Sequence, residues 1–87
     1  MFDDEREIPE AILVSAEVMR LNHNSINLVM RLLVKYGVPF TTATIDVNGT
    51  TQGVWFIPTG PVLRVVASEF QNDLIEVKEE VGLIQID

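Results

Sequence analysis

The polar run Asn22-His23-Asn24-Ser25 contains the residues whose types and spacing best suit binding chemistry in this sequence. It directly precedes a stretch with helical periodicity, so its side chains and the unpaired N–H groups of the first helical turn are predicted to converge. A helix N-terminus favours a carboxylate or another small anion. The same residues also suit simple helix capping, since Asn and Ser accept hydrogen bonds from first-turn N–H groups. Anion binding and capping therefore both stay open.

Catalytic and metal-binding patterns are missing from the sequence. His23 is the only histidine, the chain has no cysteine, and no carboxylates cluster beside His23, so His23 is a poor candidate for a metal site. No serine lies in a nucleophile-elbow pattern, and His23 has no nucleophile or orienting partner that would make it a general base. The sequence therefore predicts a protein that is not an enzyme and that uses no cofactor.

Composition limits the number of domains and the classes of partner. Eighty-seven residues form one domain, and such a short chain buries only about 60–65% of its unfolded surface, which favours association. A net charge of −7 with six Lys and Arg residues argues against nucleic acid. The acidic start is unlike a secretory signal, and no apolar stretch approaches the roughly 20 residues of a membrane span. We expect a cytoplasmic protein without membrane or nucleic-acid partners.

Local signals define a helix followed by a hairpin in the middle of the chain. Apolar residues recur at helical spacing from Ile26 to Tyr36, and Gly37 is predicted to end this helix with a positive φ. Residues 40–47 alternate as a strand, and Asn48-Gly49 predicts a two-residue primed turn into a second strand over about 50–57. Gly53 indicates a bulge or bend in that second strand.

The first part of the chain fits two descriptions. Residues 1–8 are predicted to be a flexible acidic arm. Within residues 10–21, Ile12, Val14 and Ala16 alternate with their neighbours as in a strand with one buried face. Pro9, however, suits the first position of a helix, and the run from Ala16 to Leu21 has good helix propensity. We favour the strand, because the pattern downstream requires a first strand.

The second half of the chain completes the predicted fold. An extended segment over 62–67 precedes a helix that Ser68 and Gln71 open as a capping box, and residues 83–87 supply a last strand. The order strand, helix, strand, strand, helix, strand is that of a ferredoxin-like α+β sandwich, an antiparallel sheet with both helices on one face. Residues 9–87 are thus predicted to form a single ferredoxin-like domain.

A sheet covered by helices on one face leaves its other face uncovered. The positions that we assign to this face carry no charge: Phe40, Thr42 and Thr44 in one strand, with Trp55 or Phe56 in the next. A half-apolar face is normally buried against another sheet or subunit. We therefore expect a homodimer or larger homo-oligomer that associates through these residues.

The run from Leu21 to Asp46 resembles the first half of an ACT regulatory domain: a polar loop, a helix ending in Lys-Tyr-Gly, then Val-Pro-Phe and a strand. Residues 62–86 are compatible with the second half, although members of that family commonly carry a glycine where this chain has Asn24-Ser25. The resemblance implies a dimeric regulatory module that binds a small amino acid at the subunit interface, through Asn22, His23, Asn24 and Ser25. The alternative is a protein-interaction or assembly subunit, such as a phage or accessory protein, with no small-molecule ligand.

Overall fold

A computed structural model describes residues 5–82 of the chain. These residues form an α+β structure with two antiparallel sheets and three helices. In chain order the elements are β1 (Arg6–Glu7), β2 (Ile12–Ser15), α1 (Ala16–Leu21), α2 (Ser25–Lys35), β3 (Phe40–Val47), β4 (Thr50–Pro58), β5 (Val62–Leu63) and α3 (Arg64–Glu80).

The larger sheet has β4 in its centre, with β2 on one side and β3 on the other. Both pairs are antiparallel, and Trp55 of β4 lies directly between Leu13 of β2 and Ala43 of β3. β2 and β3 therefore run in the same direction, separated by β4 and connected through α1 and α2. This is a split β-α-β arrangement.

Residues 10–21 are divided between a strand and a helix. The predicted strand is confirmed at Ile12–Ser15 and is wrong for Ala16–Leu21, where α1 forms. The reason is local: the Ser15 side chain accepts a hydrogen bond from the Val18 N–H at 3.2 Å and caps the helix. Ile12, Val14 and Val18 are nevertheless all buried. The apolar residues of the strand and of the helix that follows it therefore contact the same core.

The segment from α2 to β4 forms as predicted. Gly37 follows the helix with a φ of 64°, and Asn48 and Gly49 have φ values of 53° and 78°, as the two-residue primed turn requires. The register shifts between Ile45 and Asp46, which leaves Gln52 without a partner on β3. The predicted irregularity of β4 is therefore a bulge beside Gly53.

The last helix begins four residues before the predicted start. α3 starts at Arg64, so the extended segment predicted over 62–67 is confined to Val62–Leu63, and Ser68 lies inside the helix instead of capping it. The early start places Ala67 in the core, three residues before the fully buried Phe70. Tertiary packing thus overrides the capping-box pattern.

The chain termini are described in part. Arg6 pairs with Leu63 and Glu7 pairs with Val62, so two residues of the predicted flexible arm belong to a small antiparallel sheet. The backbone N–H of Arg64 also donates to the Glu5 carbonyl at 3.0 Å. Residues 1–4 and the strand predicted over 83–87 lie outside the described residues.

The core lies between the three-stranded sheet and the helices. Phe56 of β4, Leu33 of α2 and Phe70 of α3 are at most 1% exposed and form its centre. The residues of β3 are exposed or only half-buried along the whole strand. The hairpin of β3 and β4 therefore extends beyond the helices, and the described chain is elongated, with extents of 52 × 25 × 24 Å.

Candidate functional site

The polar run Asn22–Ser25 joins α1 to α2 rather than a strand to a helix. The Asn22 side chain accepts a hydrogen bond from the Asn24 N–H at 2.9 Å, and the Asn22 carbonyl accepts one from the Ser25 N–H at 3.1 Å. This is a self-contained turn in which the Asn side chain mimics backbone. The Asn22 side-chain oxygen is therefore engaged by the N-cap residue of α2, and the first amide of that helix is engaged by the Asn22 backbone carbonyl.

The side chains of this run do not converge on one open pocket. Ser25 is 1% exposed and its hydroxyl has no hydrogen-bond partner. Asn24 occupies the N-cap position of α2 without a side-chain cap hydrogen bond, and both His23 and Asn24 are exposed. Ligand contact by Asn22, His23, Asn24 and Ser25 stays a prediction.

The cross-strand register corrects the predicted faces of the sheet. Directly opposed residues share a face, and Phe56 lies opposite both Ile12 and Thr42. Phe56 is in the core, so Phe40, Thr42 and Thr44 lie on the helix-covered side, where Phe40 packs on Phe56 with ring centroids 5.8 Å apart. The alternation of β3 defines two faces but does not show which of them the helices cover. The face predicted from sequence was therefore wrong for four residues: Phe40, Thr42, Thr44 and Phe56.

Trp55 is the one residue of the predicted set that lies on the uncovered face. It is half-buried between Leu13, which is 36% exposed, and Ala43, which is exposed. The Leu13 side chain also lies over Gly53, since a Cβ at Gly53 would be 3.1 Å from Leu13 Cδ1. We call the uncharged patch formed by these and their neighbours the Trp55 face: Leu13, Thr41, Ala43, Ile45, Trp55 and Ile57.

A polar cluster joins the end of α2 to the middle of α3. Lys35 Nζ and Tyr36 Oη both donate to the same oxygen, Asp73 Oδ2, at 2.9 Å and 2.6 Å. Lys35 Nζ lies 5.1 Å from the centre of the Tyr36 ring, and that ring packs edge-on against Phe70 at 6.1 Å. The cluster therefore connects the two helices at the boundary between core and solvent.

The electrostatics of this cluster suit a structural role. The hydrogen bonds from Lys35 and Tyr36 hold the pKa of Asp73 below its ordinary value. The hydrogen bond to Asp73 raises the pKa of Tyr36 and likewise raises the pKa of Lys35. All three pKa values move away from neutrality, whereas a general acid or base needs a pKa near the working pH.

Comparisons with protein-family models, with curated proteins and with solved structures find no match for this chain. The resemblance to ACT domains therefore stays a prediction.

Residues 5–82 contain neither a metal-binding cluster nor a membrane-spanning helix. No group of three His, Cys, Asp or Glu side chains in this range is arranged to hold a metal ion. Nor does any helix of the same range have the length and apolar character needed to cross a bilayer.

The Lys35–Tyr36–Asp73 cluster was missed at the level of sequence. Lys35 and Tyr36 were assigned to the end of one helix and Asp73 to another helix, but nothing in the sequence shows that these positions meet. The signal that could have found them is Tyr36 itself, because a tyrosine on an apolar stripe needs a partner for its hydroxyl.

Proposed function

We propose that this chain is a non-catalytic module of ferredoxin-like fold that associates with a second copy of itself through the Trp55 face. The observation that carries the proposal is that this face lies opposite the side of the sheet that packs on the helices, that Leu13, Thr41 and Ala43 on it are exposed in the described structure, and that none of its six residues is charged. Exposed apolar patches of this kind are typical of protein–protein interfaces.

The fold assignment is supported by the strand order. In a ferredoxin-like fold the first two strands run in the same direction with the third strand between them. β2, β3 and β4 have this relation. The fourth strand of such a fold is the one predicted over 83–87, and it lies outside the described residues.

A second copy suits this face because of charge. Each chain carries a net charge of −7, so two chains repel each other wherever their acidic surfaces meet. None of the six residues of the Trp55 face is charged, so face-to-face packing brings no like charges into direct contact. Large apolar side chains contribute about 1.5–3 kcal/mol each when they pass from full exposure to full burial, and tryptophan is enriched in the centres of interfaces.

The test is a pair of charge insertions on β3. Ala43→Glu places a carboxylate in the Trp55 face, whereas Thr42→Glu places the same group on the neighbouring, also exposed residue that points to the other face. Light scattering coupled to size exclusion is expected to give a dimer or larger assembly for the parent and Thr42→Glu, and a monomer for Ala43→Glu.

Two results would overturn the proposal: a monomeric parent at high micromolar concentration, or an assembly that Ala43→Glu leaves intact. A monomeric parent whose Trp55 face binds a different protein would instead support the alternative role of an assembly subunit.

A further inference from the structure

The first turn of α3 lacks the local features that usually start a helix. Leu63 occupies the N-cap position without a side-chain cap hydrogen bond, and leucine is a poor residue for that position. Arg64 places a cation at the positive end of the helix dipole. Val65 and Val66 have low helix propensity, and of the residues of this turn only Ala67 is buried. The turn therefore needs stabilisation from outside the helix.

The N-terminal segment 5–7 supplies what this turn lacks. The Glu5 carbonyl accepts a hydrogen bond from the Arg64 N–H at 3.0 Å, which satisfies one of the amides that have no partner within a helix. The Glu5 carboxylate also forms an ion pair with the Arg64 guanidinium, which offsets the unfavourable charge at the helix start. β1 pairs with β5 and so fixes the chain directly before the helix. We call residues 5–7 the strap.

A complete set of start signals lies one turn later, at Ser68. Ser68 and Gln71 have the spacing of a capping box, and Glu69 between them is an acid, which the positive end of a helix dipole favours. In the structure Ser68 lies inside α3 and is exposed, so it does not act as the cap. The sequence thus encodes a second start for α3, one turn after the first.

We infer that the strap selects between two starts of α3. The helix starts at Arg64 when the strap is paired with β5, and it starts after Ser68 when the strap is displaced. In the second state residues 62–67 form the extended segment that the sequence predicts. The change costs little, because Ala67 is the one buried side chain of the turn that unwinds and the Ser68 cap replaces the lost contacts. An extended strand that competes with the strap for β5 would therefore shorten α3.

This inference is independent of the proposed self-association. None of the six residues of the Trp55 face belongs to the strap or to α3. The part of α3 beyond Ser68 is common to both states, and it contains the buried Phe70 and Leu74 and the hydrogen bond from Tyr36 to Asp73. Displacement of the strap should therefore leave the mass of the assembly unchanged, and either proposal can fail alone.

Amide hydrogen exchange of the full chain, followed by NMR, distinguishes the two states. In a helix that starts at Arg64 the amides of residues 68–70 donate to carbonyls of the first turn, whereas after a start at Ser68 they have no partner within the helix. Glu7→Pro should displace the strap, because proline has no N–H and is rare within paired strands. We expect exchange at 68–70 to become at least about tenfold faster relative to residues 74–77.

A milder variant gives the same readout while the backbone pairing of the strap is kept. Arg64→Gln removes the exposed ion pair with Glu5, so the same amides should exchange about two- to fivefold faster relative to residues 74–77. Lys78→Gln, at the other cation of α3, is the matched control for this variant. Glu10→Pro, outside β1 and β2, is the control for Glu7→Pro. Both controls should leave the ratio of exchange rates unchanged.

Ser68→Ala tests the second start directly. In the parent, Ser68 is an exposed residue inside the helix, so the melting temperature should stay the same or rise slightly, since alanine has the higher helix propensity. In Glu7→Pro, where Ser68 is the cap, the same change should lower the melting temperature by about 4–8 °C. Three results would overturn the inference: unchanged exchange at 68–70 in Glu7→Pro, an equal rise along the whole of α3, or the same effect of Ser68→Ala in both backgrounds.

Discussion

At the scale of single residues, the Ser25 hydroxyl is the one buried side-chain polar atom in the described part of the chain that has no hydrogen-bond partner. A buried hydroxyl without a partner loses its hydrogen bonds to water and gains none in exchange, which costs about 1–3 kcal/mol. Such atoms are rare in native proteins. The same position is one of the four that the ACT resemblance assigns to ligand contact, so its energetics bear on both stability and binding.

Replacement of this hydroxyl should stabilise the fold. Ser25→Ala is expected to raise the free energy of unfolding by about 1 kcal/mol in a urea titration, because it removes the buried donor and acceptor without removing a contact. Ser15→Ala is the control, since it removes the N-cap hydrogen bond of α1 and should lower the free energy of unfolding by about 1 kcal/mol. A loss of stability in Ser25→Ala would show that the hydroxyl has a partner in solution.

At the scale of secondary-structure elements, the connection between α2 and α3 depends on the shared carboxylate of Asp73. Because the folded state lowers the pKa of Asp73, its contribution is present above the ordinary carboxyl pKa and is lost as the pH falls through the lowered value. Because the pKa of Tyr36 is raised, its contribution is present below the ordinary tyrosine pKa of about 10 and is lost as the pH rises through the raised value.

Removal of the Asp73 charge should therefore change the stability of the fold by an amount that depends on pH. Asp73→Asn is expected to lower the melting temperature at neutral pH, and the difference from the parent should shrink as the pH falls below 4 and the parent's carboxyl is protonated. Glu79→Gln, at an exposed position of the same helix, is the control. Its difference in melting temperature from the parent should not shrink as the pH falls. A difference that is the same at every pH would indicate lost packing rather than lost charge.

The elements also show which parts of the fold were accessible from sequence. The end of α2 at Gly37 and the turn at Asn48-Gly49 depend on residues that tolerate positive φ, so local signals were sufficient. The start of α3 and the face on which Phe56 lies depend on partners far along the chain, β1 and β2. A strand's alternation defines two faces, but only its register with a neighbour identifies the buried one.

The residues of the candidate sites likewise depend on contacts between segments that are far apart in the sequence. The alternation of β4 placed either Trp55 or Phe56 on the uncovered face, and only the register with β2 and β3 shows that Trp55 is the one. The contact of Lys35 and Tyr36 with Asp73 was not predicted, because it depends on the packing of two helices that are far apart in the sequence. The burial of Ser25 could not be predicted from the sequence either, since a serine at the start of a helix is usually a solvent-exposed cap.

At the scale of the whole molecule, the central claim is that a second copy covers the Trp55 face. An interface that consists of apolar and threonine side chains should be insensitive to salt or strengthened by it, because no ion pairs are screened and self-repulsion between acidic chains is reduced. An interface formed by the charged residues of α2 and α3 would instead weaken as salt is added.

Trp55 is the only tryptophan in the sequence, so its fluorescence reports directly on this face. We expect its emission to shift to longer wavelength on serial dilution, as the second copy dissociates and the half-buried indole meets water, and the mass from light scattering to fall over the same concentration range. Emission that does not change on dilution, together with a monomeric mass at every concentration, would contradict the account.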